Sequence, residues 1–289
     1  MSDFQRDAHC RPGQRPLRDY GLFGPYSVTW RIMSEPVMWV AGVRALYLQA
    51  LHPRVMRGTW QNSSFTQSRE AWGRFTRTIE FVRIRTYGTL AEVERAGRRL
   101  QHVHAALRGM DEQGKEFRLD EPELLLWVHC AEIASEAEIA IRSGVPVTAA
   151  EMDTFVAEQR RSAAVVGLDP AIVPASMPEL ADYFERMRPK LHACPEARRA
   201  LRLSFTHRLP LPLLPLRLIV PPLNTLAFAS LPRWARQLYG APALPMTDPA
   251  VNAALRAAFE STSRMPPRLL YVPGAAVARR VMHAAAAAG

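Results

Sequence analysis

Lysine is nearly absent. Of the 37 basic residues in this 289-residue chain, only Lys115 and Lys190 are lysine, and the rest are arginine. The net charge of +10 and pI near 10.2 invite a nucleic-acid partner. That partner would need the arginines gathered into a patch or stripe with interleaved aromatics, and here they are spread along the chain. Beside so much alanine they point to a GC-rich coding bias, and no nucleic-acid partner is expected. A basic face turned to an anionic membrane surface, or to an anionic cofactor, accounts for the charge equally well.

Cysteine is scarce too. Cys10, Cys130 and Cys194 are far apart and form no C-x-x-C, which excludes a disulfide framework and a cysteine zinc site. There is no G-x-S-x-G, P-loop, G-x-G-x-x-G or H-E-x-x-H, so common hydrolase, nucleotide-binding and zinc-protease chemistries lack support. The first 21 residues contain no apolar core of a signal peptide and no twin arginine, so a cytoplasmic location is expected. One long apolar run, residues 203–232, is broken by five prolines and two arginines between positions 203 and 222. Those prolines argue against a membrane span and favour a buried apolar lining or an interfacial lid. No stretch alternates with period two, so strands are not expected and the fold should be all-α.

What is present is a series of helices. Residues 1–33 read as an N-terminal arm with an ordered lead-in, and residues 34–289 as one multi-helix domain. A helix is expected after Pro36, ending at His52-Pro53, because the residue before a proline is excluded from the helical region. His52 there either gains from the helix dipole when protonated or belongs to a pocket. Residues 57–68 read as a polar loop and residues 109–122 as a charged one. Thr89 is read as the cap of the helix that carries His104, and Thr148 stands three positions before Glu151, the pattern of a capping box.

The stretch around which the chain is organised is residues 74–104, two helices hinged at Tyr87-Gly88. Arg74, Thr78, Phe81 and Arg85 recur at i, i+4, i+7 and i+11, so one face carries two cations and a hydroxyl. On the second helix Val93, Gly97, Leu100, His104 and Leu107 form an apolar stripe with one imidazole. His102 falls on the other side with Arg95, Arg98 and Arg99. A lone histidine opposite a cation-and-hydroxyl face suits a haem pocket, although spacing alone favours a core histidine bonded to a backbone carbonyl. His129, Glu132 and Glu136 share a face further on. They raise a di-iron carboxylate site, but the order of ligands is reversed from the Glu-x-x-His pattern and no second helix supplies a matching pair. A solvated acidic face is the simpler reading of the glutamates.

Several landmarks together resemble one family. They are ALYLQALHP, RFTRT, RRLQHVHAALRG, DEPELLLWVHC and LPRWARQLYG, in that order across residues 34–240. The chain resembles the latex-clearing-protein (rubber oxygenase) catalytic domain, shared with the oxygenase of mycophenolic acid biosynthesis. The resemblance implies an all-α fold, haem b held by one histidine, and use of dioxygen on a hydrophobic substrate. Carried across, His104 looks like the proximal ligand and metal-binding residue, with His129 as the alternative ligand or a pocket residue. Arg74 and Thr78 look like the groups above the haem. Latex-clearing proteins carry a lysine just before that threonine, and here it is Arg77, a poor iron ligand that could pair with a propionate. No carboxylate matches the glutamate proposed there as a base, which puts double-bond cleavage in doubt. With no export signal, a small hydrophobic molecule rather than rubber is the expected substrate, with peripheral membrane contact. The alternatives are a helical binding protein for a lipid or isoprenoid, and a non-haem iron enzyme using His104, His129 and Glu132.

Overall fold

Apolar side chains recur on every side of residues 122–143, and a helix of that kind is stable only when other helices surround it. The computed structural model, which describes residues 19–63, 68–206, 218–241, 244, 246–265 and 274–286, places it at the centre. Among those residues are thirteen α-helices: α1 (Val28–Met33), α2 (Met38–Gln49), α3 (Pro53–Gln61), α4 (Ser68–Tyr87), α5 (Leu90–Ala106), α6 (Pro122–Ser143), α7 (Ala149–Val165), α8 (Met177–Met187), α9 (Pro195–Thr206), α10 (Val220–Ala229), α11 (Arg233–Leu238), α12 (Thr247–Ser263) and α13 (Ala275–Ala286). The fold is all-α, a single helical domain with one small hairpin.

Pro122 starts α6 at a position where its missing N–H costs nothing, and Gly144 ends it in the left-handed conformation at φ 83°. Helix α2 lies along α6, and buried alanines on both, Ala41 and Ala45 against a set including Ala131, Ala137 and Ala140, let the backbones come close. The Trp127 indole donates to the Gln49 carbonyl at 3.0 Å, and the Gln49 amide donates to the Val128 carbonyl at 3.0 Å. These two bonds set the end of α2 against α6. Helices α7, α10 and α12 pack around the same pair. No helix among the described residues is long and apolar enough to cross a membrane.

Thr89 caps α5 and the capping box at Thr148 forms, both as expected, and at Thr89 too a glutamate, Glu92, reaches back to the cap N–H. The hinge at Tyr87-Gly88 separates α4 from α5, and α6 ends where Ser143-Gly144 indicates. Two loops are corrected. Residues 57–61 continue α3 because Pro53 fixes its first turn and Met56 is buried beneath it. Within residues 109–122, a strand β1 (Arg108–Met110) pairs antiparallel with β2 (Glu116–Arg118), Met110 facing Glu116. Burial of Phe117 drives this pairing, and Asp111 closes the turn by accepting from the N–H groups of Gln113 and Lys115. Both causes are tertiary or local side-chain effects that period counting misses. Of the apolar run 203–232, residues 207–217 lie outside the described residues, while Ala227 and Leu231 are buried.

Helix α5 packs on α7 through a glycine. A β-carbon on Gly97 would lie 2.8 Å from the Val165 carbonyl oxygen and 2.9 Å from its Cγ1. At Gly42, on the exposed side of α2, a β-carbon would meet nothing within 4 Å. Gly42→Ala should therefore raise stability by about 0.5–1 kcal/mol through helix propensity alone. Gly97→Val should lower it by about 1–3 kcal/mol through overpacking. Urea midpoints for the two variants check this, and equal shifts would contradict the close contact of α5 with α7.

Candidate functional site

Because α4 and α5 form an antiparallel pair, positions equally far from the hinge come together at its open end. Arg74 lies 13 residues before Tyr87 and His104 lies 14 after Leu90, so both sit roughly 20 Å from the hinge. Arg74 Nη1 donates to Ser63 Oγ at 2.7 Å, which holds this end of α4 to the chain following α3. His104 is half-buried, and its Nδ1 is buried without a hydrogen-bond partner. Burial lowers the pKa of His104; Asp120 opposes that shift and the Arg74 charge adds to it. The ring is therefore neutral at pH 7. Burial, with Arg77 adding to it, also lowers Arg74 below the usual guanidinium range.

The other residues of the stripe divide. Thr78 is exposed and donates to the Arg74 carbonyl at 3.2 Å, and Arg77 is exposed on the same turn. On α5, Val93 and Gly97 are buried while Arg95, Arg98, Arg99 and His102 face water, as the spacing predicts. Arg85, at the hinge end of α4, is buried and forms a two-bond pair with Glu132, both at 2.9 Å. Its Nη2 stands 4.0 Å from Glu136, which is also buried.

The acidic face expected to be solvated is thus largely enclosed, because the Arg85 side chain reaches it from α4. Burial alone would raise Glu132, but the Arg85 charge and hydrogen bonds outweigh it and hold the carboxyl below its usual range. Glu136 lacks that contact. Burial first, and the neighbouring Glu132 charge second, push it up to about 8 against the pull of Arg85. At neutral pH the cluster is one guanidinium, one carboxylate and one carboxylic acid, with no net charge.

His129, one turn from Glu132, is buried, and its Nε2 lies 3.1 Å from the Gln159 carbonyl oxygen. A carbonyl can only accept, so Nε2 carries the proton. The Gln159 side chain in turn donates to Thr29 Oγ1 at 2.8 Å. Burial pulls His129 down to about 4. His52 likewise falls to about 4, with burial the main cause, so no dipole-stabilised imidazolium forms there. It caps α3 and lines a cleft of about 250 Å³ with Arg54, Glu112, Glu123 and Lys190, and its buried Nδ1 has no partner. Among the described residues no three His, Cys, Asp or Glu side chains converge as metal ligands. Sequence reading missed the Arg85–Glu132–Glu136 cluster, although Arg85 belongs to the Arg74 stripe and the two glutamates are one turn apart.

Fold and side chains together define an all-α domain with ionisable groups enclosed between helices and a polar cluster at the open end of one helical pair. The chain belongs to the family described as ER-bound oxygenase mpaB/B'/rubber oxygenase, catalytic domain, whose sequence model matches residues 30–262. No curated protein and no solved structure matches the chain. Membership in this oxygenase family supports an oxidoreductase that uses dioxygen.

The buried groups give stability an opposed pH dependence. Between about pH 4.5 and 8 the folded chain keeps a proton on Glu136 that the unfolded chain has released, so stability falls as pH rises through that window. His52 and His129 act the other way. From about pH 4 to 6.5 the unfolded chain holds protons that the folded rings refuse, so stability rises with pH. The melting temperature should peak near pH 6.5 and decline toward pH 8, each titrating proton being worth about 1.4 kcal/mol per pH unit at most. Calorimetry across this range on Glu136→Gln should show the decline flattened, and an unchanged slope would rule out Glu136 as its source.

Proposed function

We propose that the chain is a haem-b-dependent oxygenase or oxidase acting on a small hydrophobic substrate, with His104 as the proximal iron ligand. One observation carries the assignment: at the open end of the α4–α5 pair, a neutral imidazole has a buried nitrogen without a hydrogen-bond partner. A buried polar atom in that state needs a partner, and a neutral ring is the form that binds iron. His129 fits less well, because the Nε2 that commonly ligates haem iron carries a proton directed at the Gln159 carbonyl.

When bound, haem would supply the redox-active iron that activates dioxygen. The chain's own residues would do the rest. Arg74, fixed by Ser63, would present a guanidinium beside the iron site and orient oxygen or substrate by hydrogen bonds. Thr78, one turn along, offers a hydroxyl now turned to the helix backbone. Arg77, open to water on the same turn, would pair with a propionate carboxylate. The favourable field of these arginines toward an anionic cofactor supports the same reading. No part of this assignment involves a nucleic acid.

The test is an absorption spectrum of protein produced with haem supplied, before and after dithionite. A Soret band that shifts on reduction is expected. In His104→Ala that band should be lost while far-ultraviolet circular dichroism stays near the parent value, and His129→Ala should keep it. Full haem occupancy in His104→Ala would sink the ligand assignment. A colourless parent protein would remove the haem mechanism and turn attention to bound iron or lipid.

A further inference from the structure

The cleft bordered by His52 lies where four segments meet: the α2–α3 junction, the β1–β2 turn, the first turn of α6 and the short 3-10 turn Arg188–Lys190 after α8. Specific bonds hold these segments in place. The His192 backbone N–H donates to the Leu51 carbonyl at 2.9 Å, which ties the chain after Lys190 to the residue before His52. His192 Nε2 donates to Glu112 at 3.1 Å and so fastens the hairpin turn to the same segment. Lys190 Nζ meets Glu123 Oε1 at 2.7 Å and joins the 3-10 turn to α6.

Two buried polar atoms of the lining residues have no partner. His52 is only 5% exposed, and its Nδ1 makes no hydrogen bond. Arg54 is held with its Cζ 4.4 Å from the centre of the Phe117 ring, and its buried Nε is likewise unbonded. Polar atoms left in that state cost free energy until something bonds them. The formal charges, by contrast, are all engaged. Arg54 Nη2 meets Glu121 at 2.9 Å, Lys190 meets Glu123, Glu112 accepts from His192, and Asp111 accepts from two N–H groups of its own turn. A charged ligand would have to break one of these pairs, and three carboxylates against two cations turn an anion away in particular. A hydroxyl breaks none of them. It donates and accepts at once, so it suits the imidazole nitrogen in either tautomer and can take the Nε hydrogen of Arg54. The cleft holds about 250 Å³, below the roughly 300–1,000 Å³ of drug-sized sites, which limits the occupant to the size of a short polyol or a monosaccharide.

We infer that this cleft binds a small neutral polyhydroxylated molecule, held at His52 and Arg54 and bordered by Glu112, Glu123 and Lys190. It lies at the N-terminal end of α3, about 14 Å of helix from the other end, where Ser63 holds Arg74. The site therefore does not rest on the haem assignment, and its assay reads binding alone. The full chain, carrying ¹³C-labelled histidine, would be titrated with glycerol, myo-inositol and D-glucose while the His52 ring signals are followed by nuclear magnetic resonance. The spectrum of His52→Phe identifies those signals by their loss. A saturable shift with at least one of the three polyols is expected, and no shift with inorganic phosphate or ethylammonium. Lys190→Ala with Glu112→Gln changes only exposed side chains, so circular dichroism should match the parent and the His52 signals should remain. In that variant the apparent Kd should rise about tenfold or more, the factor expected from losing one bond to a charged group. An absence of saturable shifts with all three polyols would mean that ordered water alone occupies the cleft and would overturn the inference. An equal shift with phosphate or ethylammonium, or a parent-like Kd in the double variant, would overturn it too.

Discussion

A guanidinium that water scarcely reaches has to be neutralised where it sits, and Arg85 imposes that condition on the surrounding helices. Left alone in the interior it would cost several kcal/mol. Glu132 answers it with two hydrogen bonds, and Glu136, 4.0 Å away, keeps its proton so that the cluster does not become anionic. The pair fixes the register of α4 on α6. From the other side the Trp30 indole donates to the Thr86 carbonyl at 2.7 Å, bringing α1 to the same turn. The hinge end of the α4–α5 pair is therefore held by charge, by an indole and by the Thr89 capping box. Its open end, with Arg74 and His104, hangs on lighter ties such as the Arg74–Ser63 bond. The arrangement separates anchoring from the candidate chemistry along about 20 Å of helix.

How far the sequence could be read follows the range of each interaction. The cap at Thr89, the capping box at Thr148, the closing Gly144 and the hinge at Gly88 depend on residues within four positions, and all were legible. The apolar stripe of α5 was legible too, because one face of a helix needs only its own period. The continuation of α3 and the β1–β2 hairpin were not. The hairpin depends on Phe117, which is buried beside the α3 glycine Gly58 across 59 residues of sequence, and α3 on the burial of Met56. The glutamates of α6 were misread for the same reason. With i, i+3 and i+7 spacing, a helix face of His129, Glu132 and Glu136 looks solvated until a cation 47 residues earlier is brought against it. The signal available was Arg85 itself, a charge on a stripe that also carries Phe81.

Three imidazoles are kept neutral in this molecule, and burial is the chief cause in each. Their surroundings assign them different work. His129 is enclosed in the core, its Nε2 proton given to a carbonyl, so it behaves as a structural hydrogen-bond donor in the chain that runs through Gln159 to Thr29. His52 closes the turn between α2 and α3 and borders a cleft with mixed charges, where Glu123 and Lys190 offset one another. His104 combines a buried nitrogen without a partner, partial access to water and the nearby Arg74 guanidinium on α4.

That contrast bears on where an oxygenase of this family could do chemistry. A reaction with dioxygen and an apolar molecule needs a group that can still accept a ligand and a path to reach it. The Arg85–Glu132–Glu136 cluster offers one strongly raised carboxyl, Glu136, and strong shifts are the usual sign of a working site. Yet Arg85 and Glu132 are bonded to one another by two hydrogen bonds, so the shifts there also have a structural cause in ion pairing. The open end of the α4–α5 pair has smaller shifts but uncommitted valence, and for a cofactor-dependent enzyme uncommitted valence is the more informative of the two. On the proposed assignment the chain would contribute little there: one neutral donor nitrogen, guanidiniums to meet anionic oxygen, and a hydroxyl. Such a set does little chemistry unaided, which is what one expects of a polypeptide that leaves the redox step to a bound group.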